Sequence, residues 1–382
     1  IIAHLKDNYN FKFVYFCLKR RKEEEMRKKA LVAMSGGVDS SVAAYLIKKA
    51  GYETMGINMK LHIADSVLSE PEDVCGFSDA SDAKAVAEKL GIPFCVVDFT
   101  DDFRTNVVDN FVRAYEEGNT PNPCIDCNKH IKFKRLFEKG MELGQDFVVT
   151  GHYARIDRDE KGLYRLKKGL DEKKDQSYVL YSLSQSELAH TKFPLGEITK
   201  EKVREIAGEM TFLNAEKKES QDICFVPDGD YVKFIKEYTS SKYPEGDFVD
   251  KDGNVLGKHR GMIGYTIGQR KGLGLALKKP MYVVEKDIEN NRILLGENKD
   301  LMTKDFEAGC CNWISGSPPK GKIQVMAKTR YNQKESPAVV EVIGEGRIHV
   351  CFDEPQRAIT KGQSVVLYDG DIVLGGGIID LT

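Results

Sequence analysis

The chain has 382 residues, 30% of them charged, and a formal net charge of −2. This balance excludes binding of nucleic acid through a strongly basic overall field, so any such contact must come from a local patch. The sequence has no apolar stretch long enough to span a membrane. Its nine cysteines are scattered and odd in number, unlike those of a secreted disulfide scaffold. We expect a cytoplasmic protein of two or three domains, without a membrane partner.

The first 25 residues differ in character from the rest. The chain begins with Ile1, and a short apolar stretch, 11–18, is followed by basic residues and then by Glu23 to Glu25. Acidic residues argue against an organelle transit peptide, which is usually poor in them. We expect Met26 to be the natural start and residues 1–25 to be a non-native or disordered extension.

Strands and helices alternate over residues 26–224. Such alternation predicts an α/β domain with a doubly wound parallel sheet, whose ligand lies at the carboxyl ends of the strands. The predicted strands are 29–34, 53–61, 93–99 and 146–150, and the predicted helices are 42–50, 78–90, 102–117, 131–143 and 200–210.

From about residue 225 the pattern changes to short strands with glycine-rich turns. Segment 258–280 holds six Lys or Arg residues and no acidic residue, which suits contact with an RNA backbone. Turns in a small β domain would explain several of its glycines equally well. We predict a central β-rich, RNA-contacting domain over 225–300 and a C-terminal β-barrel over 301–382, because five or six short strands suit a small barrel.

A glycine-rich loop, Ser35-Gly36-Gly37-Val38-Asp39-Ser40-Ser41, joins the first strand to the first helix. Glycines let an anion approach the backbone, and a helix N-terminus offers unpaired N–H groups with a partial positive charge. Serine hydroxyls add donors, and Asp39 can hold a magnesium ion against phosphates. The simpler interpretation is an ordinary turn, but the full seven-residue pattern at a strand-to-helix junction favours a phosphate site.

This loop differs from the commoner nucleotide loop, because no lysine follows its glycines. It resembles the pyrophosphate loop of the ATP pyrophosphatases, which split ATP between its α and β phosphates. Two other strand ends would open onto the same crevice. Met59, at the end of the second strand, is predicted to contact the adenine. Gly151 and His152 follow the fourth strand, although His152 serves equally well as a structural histidine.

Two cysteine segments are candidates for chemistry. Cys124 and Cys127 form a Cys-x-x-Cys pair after Asn122 and Pro123, and cations lie nearby. A position near a helix N-terminus, with cations, predicts a lowered thiol pKa for Cys127. The pair is open to three interpretations: half of a zinc site, a local redox dithiol, or one cysteine acting with a distant one such as Cys224.

Eight segments, in order, resemble the bacterial tRNA-specific 2-thiouridylase family from about residue 26 to the end. They are Ser-Gly-Gly-Val-Asp-Ser-Ser, Thr-Pro-Asn-Pro-x-x-x-Cys-Asn-Lys, Thr-Gly-His-Tyr, Lys-Asp-Gln-Ser-Tyr, Asp-Ile-Cys-Phe, Thr-Ile-Gly-Gln-Arg-Lys-Gly-Leu-Gly, Lys-Thr-Arg-Tyr and Leu-Gly-Gly-Gly.

The resemblance implies ATP-dependent 2-thiolation of the wobble uridine of tRNA for lysine, glutamate or glutamine. Cys224 would carry a persulfide, supplied by a cysteine desulfurase or a sulfur-relay protein, and Cys127 would resolve it through a Cys127–Cys224 disulfide. The residues implied to bind ATP are Ala33, Met34, Ser35, Gly36, Gly37, Val38, Asp39, Ser40, Met59 and Gly151. Those implied to contact the target base or the tRNA are Asn122, Pro123, Cys124, His152, Lys174, Asp175, Gln176, Arg330, Tyr331 and Gln363.

Some family members carry Asp where this chain has Cys124. The substitution gives three thiols, so an iron–sulfur cluster held by Cys124, Cys127 and Cys224 is an alternative to the disulfide cycle. Two other function classes remain open. A pyrophosphate-loop ligase that adds an amine would not need paired cysteines, and a non-catalytic RNA-binding module would need neither ATP nor Asp39.

Overall fold

The computed structural model describes residues 27–61, 77–217, 223–226 and 228–380. The predicted extension over 1–25 lies outside the described residues.

The helices and strands are given in chain order. The strands are β1 (Lys29–Ala33), β2 (Glu53–Lys60), β3 (Phe94–Asp98), β4 (Phe147–Val149), β5 (Ala154–Arg158), β6 (Tyr164–Lys168), β7 (Thr191–Lys192), β8 (Gly246–Val249), β9 (Val255–His259), β10 (Tyr282–Asp287), β11 (Arg292–Gly296), β12 (Met302–Trp313), β13 (Lys322–Lys328), β14 (Ser336–Gly344), β15 (Arg347–Arg357), β16 (Ser364–Asp369) and β17 (Ile372–Asp380). The α-helices are α1 (Val38–Lys49), α2 (Phe77–Leu90), α3 (Thr100–Phe103), α4 (Asp109–Glu116), α5 (Pro123–Asp126), α6 (Leu136–Glu142), α7 (Gln185–Ala189), α8 (Lys200–Glu209) and α9 (Tyr231–Thr239). Two π-helices, Arg104–Val108 and Cys127–Arg135, connect α3 to α4 and α5 to α6 without a break, and short 3-10 helices lie at Ser177–Leu180, Met262–Gly264 and Asn298–Leu301.

The first sheet is parallel throughout, in the order β3-β2-β1-β4-β7. Its central strand β1 is buried on both faces. Ala30 and Val32 pack on one side with α1, α2 and α8, while Leu31 packs on the other with α4 and the helices that follow it. Burial on both faces explains why β1 reads as a continuous apolar stretch. The predicted doubly wound parallel sheet is confirmed, and the carboxyl ends of β1 and β4 adjoin because these strands are neighbours.

A small central sheet and a closed barrel follow. The central sheet has the order β10-β11-β8-β9. The barrel closes because β12 pairs with β15 on one side and with β17 on the other, in the circuit β12-β15-β14-β13-β16-β17. The predicted C-terminal barrel is therefore confirmed.

The hairpin of β5 and β6 belongs to the barrel sheet, although it precedes the barrel by more than a hundred residues in the chain. Strand β6 pairs with β17, and Arg155 on β5 forms an ion pair with Asp371 at 2.8 Å. Leu166 shares one apolar cluster with Val366 and Val373 of the barrel. The hairpin is thus joined to the barrel by paired strands and by a common core.

Among the described residues, no helix combines the length and apolar character needed to cross a membrane.

Candidate active site

The glycine-rich loop lies where predicted, at the carboxyl end of β1. Met34 is buried under it, Gly36 has a positive φ of 76°, and α1 begins at Val38 with Gly37 as its N-cap. A side chain at Gly36 would be strained at this φ, so glycine is required for the turn. The helix starts four residues earlier than the predicted 42, which brings Asp39 into its first turn.

The loop is fixed by its own hydroxyl groups and by one distant amide. Ser40 Oγ and Ser41 Oγ both donate to the Gly37 carbonyl at 3.0 Å, and Ser35 N donates to Ser40 Oγ at 3.2 Å. Asn214 Nδ2 donates to the Gly36 carbonyl at 2.8 Å. The turn is therefore organised before any ligand arrives, and the Ser35 residue remains exposed at its rim.

Asp39 has two partners that the sequence analysis did not identify. Lys200 Nζ lies 2.8 Å from each of the two Asp39 carboxylate oxygens, and Tyr153 OH donates to Asp39 Oδ1 at 2.7 Å. The Lys200 side chain is only 8% exposed, whereas that of Asp39 is 33% exposed. The carboxylate thus faces the crevice, and the ammonium approaches it from the protein interior.

Gly151-His152-Tyr153 connects the loop to the rest of the site. A Cβ at Gly151 would lie 3.0 Å from the Asp39 carbonyl carbon and from Ser40 N, so only glycine lets β4 end this close to α1. His152 is buried, and its Nδ1 forms a hydrogen bond of 2.7 Å with Thr150 Oγ1. Met59 is half-buried at the end of the neighbouring β2.

The thiols lie on one long helical segment, 123–142, which we call the thiol helix. Asn122 caps it by accepting from Cys124 N at 3.2 Å, and Pro123 is its first residue. The prediction that the helix begins at 131 is therefore wrong. The signal was present, because Asn followed by Pro is typical of an N-cap and first-turn pair. Cys127 opens the π-helical part, a rare geometry that is frequent at functional sites.

The predicted lowering of the Cys127 pKa is also wrong. Cys127 is buried in an apolar cluster with Ile131 and Phe103, and this burial raises its pKa to about 11. The charge of Lys132 opposes the shift only in part, because desolvation outweighs the cation. Cys124 is exposed. Desolvation also raises the pKa of Cys124, against the charge of Lys132. The two cysteines of the pair therefore differ in exposure but not in the direction of their pKa shift, and Cys127 is protonated at neutral pH.

Lys132 connects the thiols to the strand end. Its charge acts on Cys124, on Cys127 and on His152. The His152 pKa lies well below its usual value, first because of burial and then because of Lys132, so the imidazole is neutral. These residues, together with the Gly151 contact, place the phosphate loop and the thiol helix at one crevice.

Several side chains with a predicted role in tRNA contact already have protein partners. Asp175 accepts from Ser177 Oγ at 2.8 Å, and Gln176 Oε1 accepts from Tyr153 N at 3.0 Å. Arg330 donates to the backbone carbonyls of 357 and 358. Lys174 is half-buried in the same loop as Asp175 and Gln176. The hydrogen bonds of Asp175 and Gln176 fix the shape of this loop beside the site.

Tyr331 brings the barrel to the Cys124 side of the crevice. Its pKa is raised to about 12, chiefly by desolvation and further by the charges of Asp175 and Cys124. Its ring lies 6.1 Å from that of Tyr178. The predicted residues Cys124, Asp175 and Tyr331 are thus neighbours, although they come from three distant segments.

Gln363 contacts the segment just before the thiol helix. Its Nε2 donates to the Thr120 carbonyl at 2.6 Å, and Thr120 N donates to the Lys361 carbonyl at 3.0 Å. A Cβ at Gly362 would lie 2.9 Å from Asn119 Cβ. We call the turn 361–363 the barrel clamp, because each of its three residues contacts segment 119–120.

Cys224 is exposed, and its neighbours Ile223 and Phe225 pack against the apolar cluster that contains Cys127. Cys127 forms no disulfide. Within the ranges that the structure describes, no three His, Cys, Asp or Glu side chains are grouped to hold a metal ion. The iron–sulfur cluster on Cys124, Cys127 and Cys224 stays a prediction, as does the Cys127–Cys224 disulfide.

Three functional candidates were missed from the sequence: Lys200, Tyr153 as a partner of Asp39, and Asp126. Burial raises the pKa of Asp126 to about 6, against the charges of Lys129 and Arg113. Tyr153 was within a recognised segment, but neither its contact nor that of Lys200 with Asp39 has a local sequence signal, since Lys200 is 161 positions from Asp39.

Comparisons with known proteins cover almost the whole described chain. Residues 28–228 match the tRNA methyl transferase HUP domain, 232–297 the tRNA methyl transferase PRC-barrel domain, and 303–379 the aminomethyltransferase beta-barrel domain. A tRNA-specific 2-thiouridylase MnmA from Clostridioides difficile is 52% identical over 356 residues, which is 93% of this chain and 99% of that protein. The tRNA-specific 2-thiouridylase MnmA from Clostridium acetobutylicum is 48% identical over 355 residues, covering 93% of this chain and 100% of that protein. The chain belongs to the tRNA-specific 2-thiouridylase family.

Proposed function

We propose that the chain thiolates the 2-position of the wobble uridine in tRNA for lysine, glutamate or glutamine, with ATP as the activating substrate. The observation that carries this proposal is the segment Gly151-His152-Tyr153. It contacts the phosphate loop through Gly151 and Tyr153, and it faces the cation of the thiol helix through His152. A phosphate site and a thiol site that share one strand end suit an activation step followed by sulfur transfer.

The first step activates the base. ATP binds on 33–40, with Met59 and Gly151 near the nucleotide, and the uridine lies beside Asn122, Pro123 and Cys124. The 2-oxygen of uridine attacks the α-phosphorus, and pyrophosphate leaves with the electron pair of the bond that breaks. This converts a poor oxygen leaving group into AMP. When Asp39 is not paired with Lys200, it can hold a magnesium ion, since one carboxylate with substrate phosphates is a usual ligand set.

The second step transfers sulfur. The terminal sulfur of a Cys224 persulfide attacks C2 of the activated uridine. The Cys127 thiolate then attacks Cys224 Sγ, and the S–S electron pair goes to the sulfur now on C2, so AMP leaves and a Cys127–Cys224 disulfide forms. An external dithiol reductant supplies the two electrons that restore both thiols. Because the Cys127 pKa is about 11, the step needs a proton acceptor, and Asp126, with a pKa of about 6, lies beside it.

The exposure of the two cysteines fits these roles. Cys224 is exposed, as a thiol that receives sulfur from a cysteine desulfurase or a sulfur-relay protein must be. Cys127 is buried, which protects the resolving thiol from premature oxidation. We propose that Gln363 acts through its hydrogen bond to the Thr120 carbonyl. The residues proposed to contact tRNA are His152, Lys174, Asp175, Gln176, Arg330 and Tyr331.

The test uses the full chain purified without oxygen, with unmodified tRNA, magnesium-ATP, and a cysteine desulfurase with cysteine. We expect 2-thiouridine in the digested tRNA by mass spectrometry, with AMP and pyrophosphate released in equal amounts. A reaction without tRNA is the control and should release little pyrophosphate. Cleavage of ATP to AMP without any thiouridine would overturn the sulfur-transfer assignment.

A further inference from the structure

Lys200 occupies an unfavourable position for a lysine. It is the first residue of α8, where the partial positive charge of the helix N-terminus disfavours a cation. It is also buried, with 6% of the residue exposed, and lysine is almost never buried unless it is paired. Its burial is therefore compensated by Asp39, whose two carboxylate oxygens both lie 2.8 Å from Nζ.

A purely structural explanation of this pair is weak. Buried ion pairs add little to stability, and apolar residues of similar size commonly replace them without loss. Asp39 also has a second donor, because Tyr153 OH lies 2.7 Å from Oδ1. The carboxylate would therefore keep a hydrogen bond if the ammonium moved away.

The phosphate loop lacks a lysine of its own, so the donors that it can offer to a phosphate are neutral backbone N–H and hydroxyl groups. Cleavage between the α and β phosphates develops negative charge on the leaving pyrophosphate, and fixed cations stabilise such charge. Lys200 is held by Asp39, a residue of that loop whose side chain is partly exposed.

We propose that Lys200 is the phosphate-binding lysine of this loop, supplied by α8 instead of by the loop itself. Before ATP binds, Asp39 holds the ammonium. When ATP binds, the ammonium turns to the β and γ phosphates, and Asp39 is released to hold magnesium while Tyr153 keeps its hydrogen bond. The inference rests on the proposed function, since it requires ATP to be the substrate of this site.

The experiment compares equilibrium binding of magnesium-ATP and of AMP to the full chain and to Lys200→Met. We expect Lys200→Met to raise the Kd for ATP at least 10-fold and the Kd for AMP less than 3-fold, because AMP lacks the β and γ phosphates. Lys200→Arg should retain most of the ATP affinity. The matched control is Lys202→Met, because Lys202 lies on the same helix but is half-exposed and paired with Glu205 at 2.6 Å.

Equal weakening of ATP and AMP would overturn the inference and indicate a structural role, and so would unchanged ATP binding. Thermal unfolding with and without ATP checks that each variant folds; should Lys200→Met not fold, Lys200→Gln is measured by the same criteria. Failure of the proposed function is distinguishable. A wild-type chain that binds ATP but makes no thiouridine would overturn sulfur transfer and leave the Lys200 result standing, whereas a wild-type chain that does not bind ATP would overturn both.

Discussion

The phosphate loop and the thiol helix meet at one crevice but are built in different ways. The loop is short, its turn is closed by hydrogen bonds among residues 35–41, and its anion-binding groups are contiguous in sequence. The thiol site combines Cys124 and Cys127 with three side chains from elsewhere in the chain. They are Lys132, which lies eight and five residues further along the helix, His152 at a strand end, and Tyr331 in the barrel. The comparison teaches that the turn of the phosphate loop is encoded locally, although Lys200 and Asn214 reach it through the tertiary fold. The environment of the thiols, in contrast, is set almost entirely by the tertiary fold.

Removal of either cysteine is expected to have the largest effect, and it should impair sulfur transfer without impairing ATP cleavage. Cys127→Ala and Cys224→Ala should each lower 2-thiouridine formation by at least about 10³-fold, because each removes a sulfur that the transfer step needs. Release of pyrophosphate in the first turnover should continue. Thiouridine and pyrophosphate are measured in the same reaction, with Cys310→Ala, an exposed cysteine of the barrel, as the control.

Loss of pyrophosphate release in the cysteine variants would contradict the assignment of activation and sulfur transfer to two separate sites, because the thiols would then be needed for activation as well. Thiouridine formed normally by either variant would contradict the disulfide cycle.

Asp39→Asn tests the phosphate side. We expect pyrophosphate release to fall by about 10²–10³-fold, since the substitution removes the carboxylate that pairs with Lys200 and that we propose as a magnesium ligand. Thiouridine should fall in parallel, because no activated base would be formed. Pyrophosphate is followed by a coupled assay. If Asp39→Asn released pyrophosphate at the wild-type rate, the loop would not be the site of ATP cleavage.

The burial of Cys127 predicts a distinctive pH dependence. Its pKa of about 11 lies above the ordinary value, so the reactive thiolate is scarce at neutral pH and increases as pH rises. Alkylation by iodoacetamide should therefore accelerate about tenfold per pH unit from 7 to 10 without levelling off. Peptide mass spectrometry measures the rate, with N-acetylcysteine as a small thiol that levels off near its ordinary pKa. A plateau for Cys127 below pH 9 would show that the thiol is not desolvated.

The smallest effect concerns the barrel clamp. Gln363→Ala removes the 2.6 Å hydrogen bond to the Thr120 carbonyl, so the start of the thiol helix loses one support. We expect turnover to fall by about 3- to 10-fold while the Kd for tRNA stays within twofold. Gln324→Ala, an exposed glutamine on β13, is the control. A raised Kd with unchanged turnover would instead favour direct contact between Gln363 and tRNA.

Local patterns predicted most of the parallel sheet and the phosphate loop. Alternating buried strands and the Ser-Gly-Gly pattern carry their own signals, so β1, β4 and the turn at Gly36 were located from sequence to within a few residues. The C-terminal barrel was predicted from the number of short strands over 301–382. The ion pair of Lys200 with Asp39 could not be predicted, because no local pattern near either residue indicates a contact between positions 161 residues apart.

The thiol helix shows how a local rule was applied incorrectly. The helix was predicted to begin at 131, whereas Asn122 caps it and Pro123 is its first residue. The predicted lowering of the Cys127 pKa assumed a position near the N-terminus of a helix that begins at 131. It also left out burial, which depends on Phe103 and other residues that the fold brings close. A thiol pKa could not be predicted until its apolar neighbours were known.

The hairpin of β5 and β6 has a practical consequence for dividing this protein. A fragment that ends before β12 would leave β6 without its partner β17, and Leu166 without Val366 and Val373. Unpaired strand edges and uncovered apolar side chains promote association between chains. The nucleotide-binding part is therefore not a separable unit, and truncation at the sequence boundary near 300 should yield aggregated material.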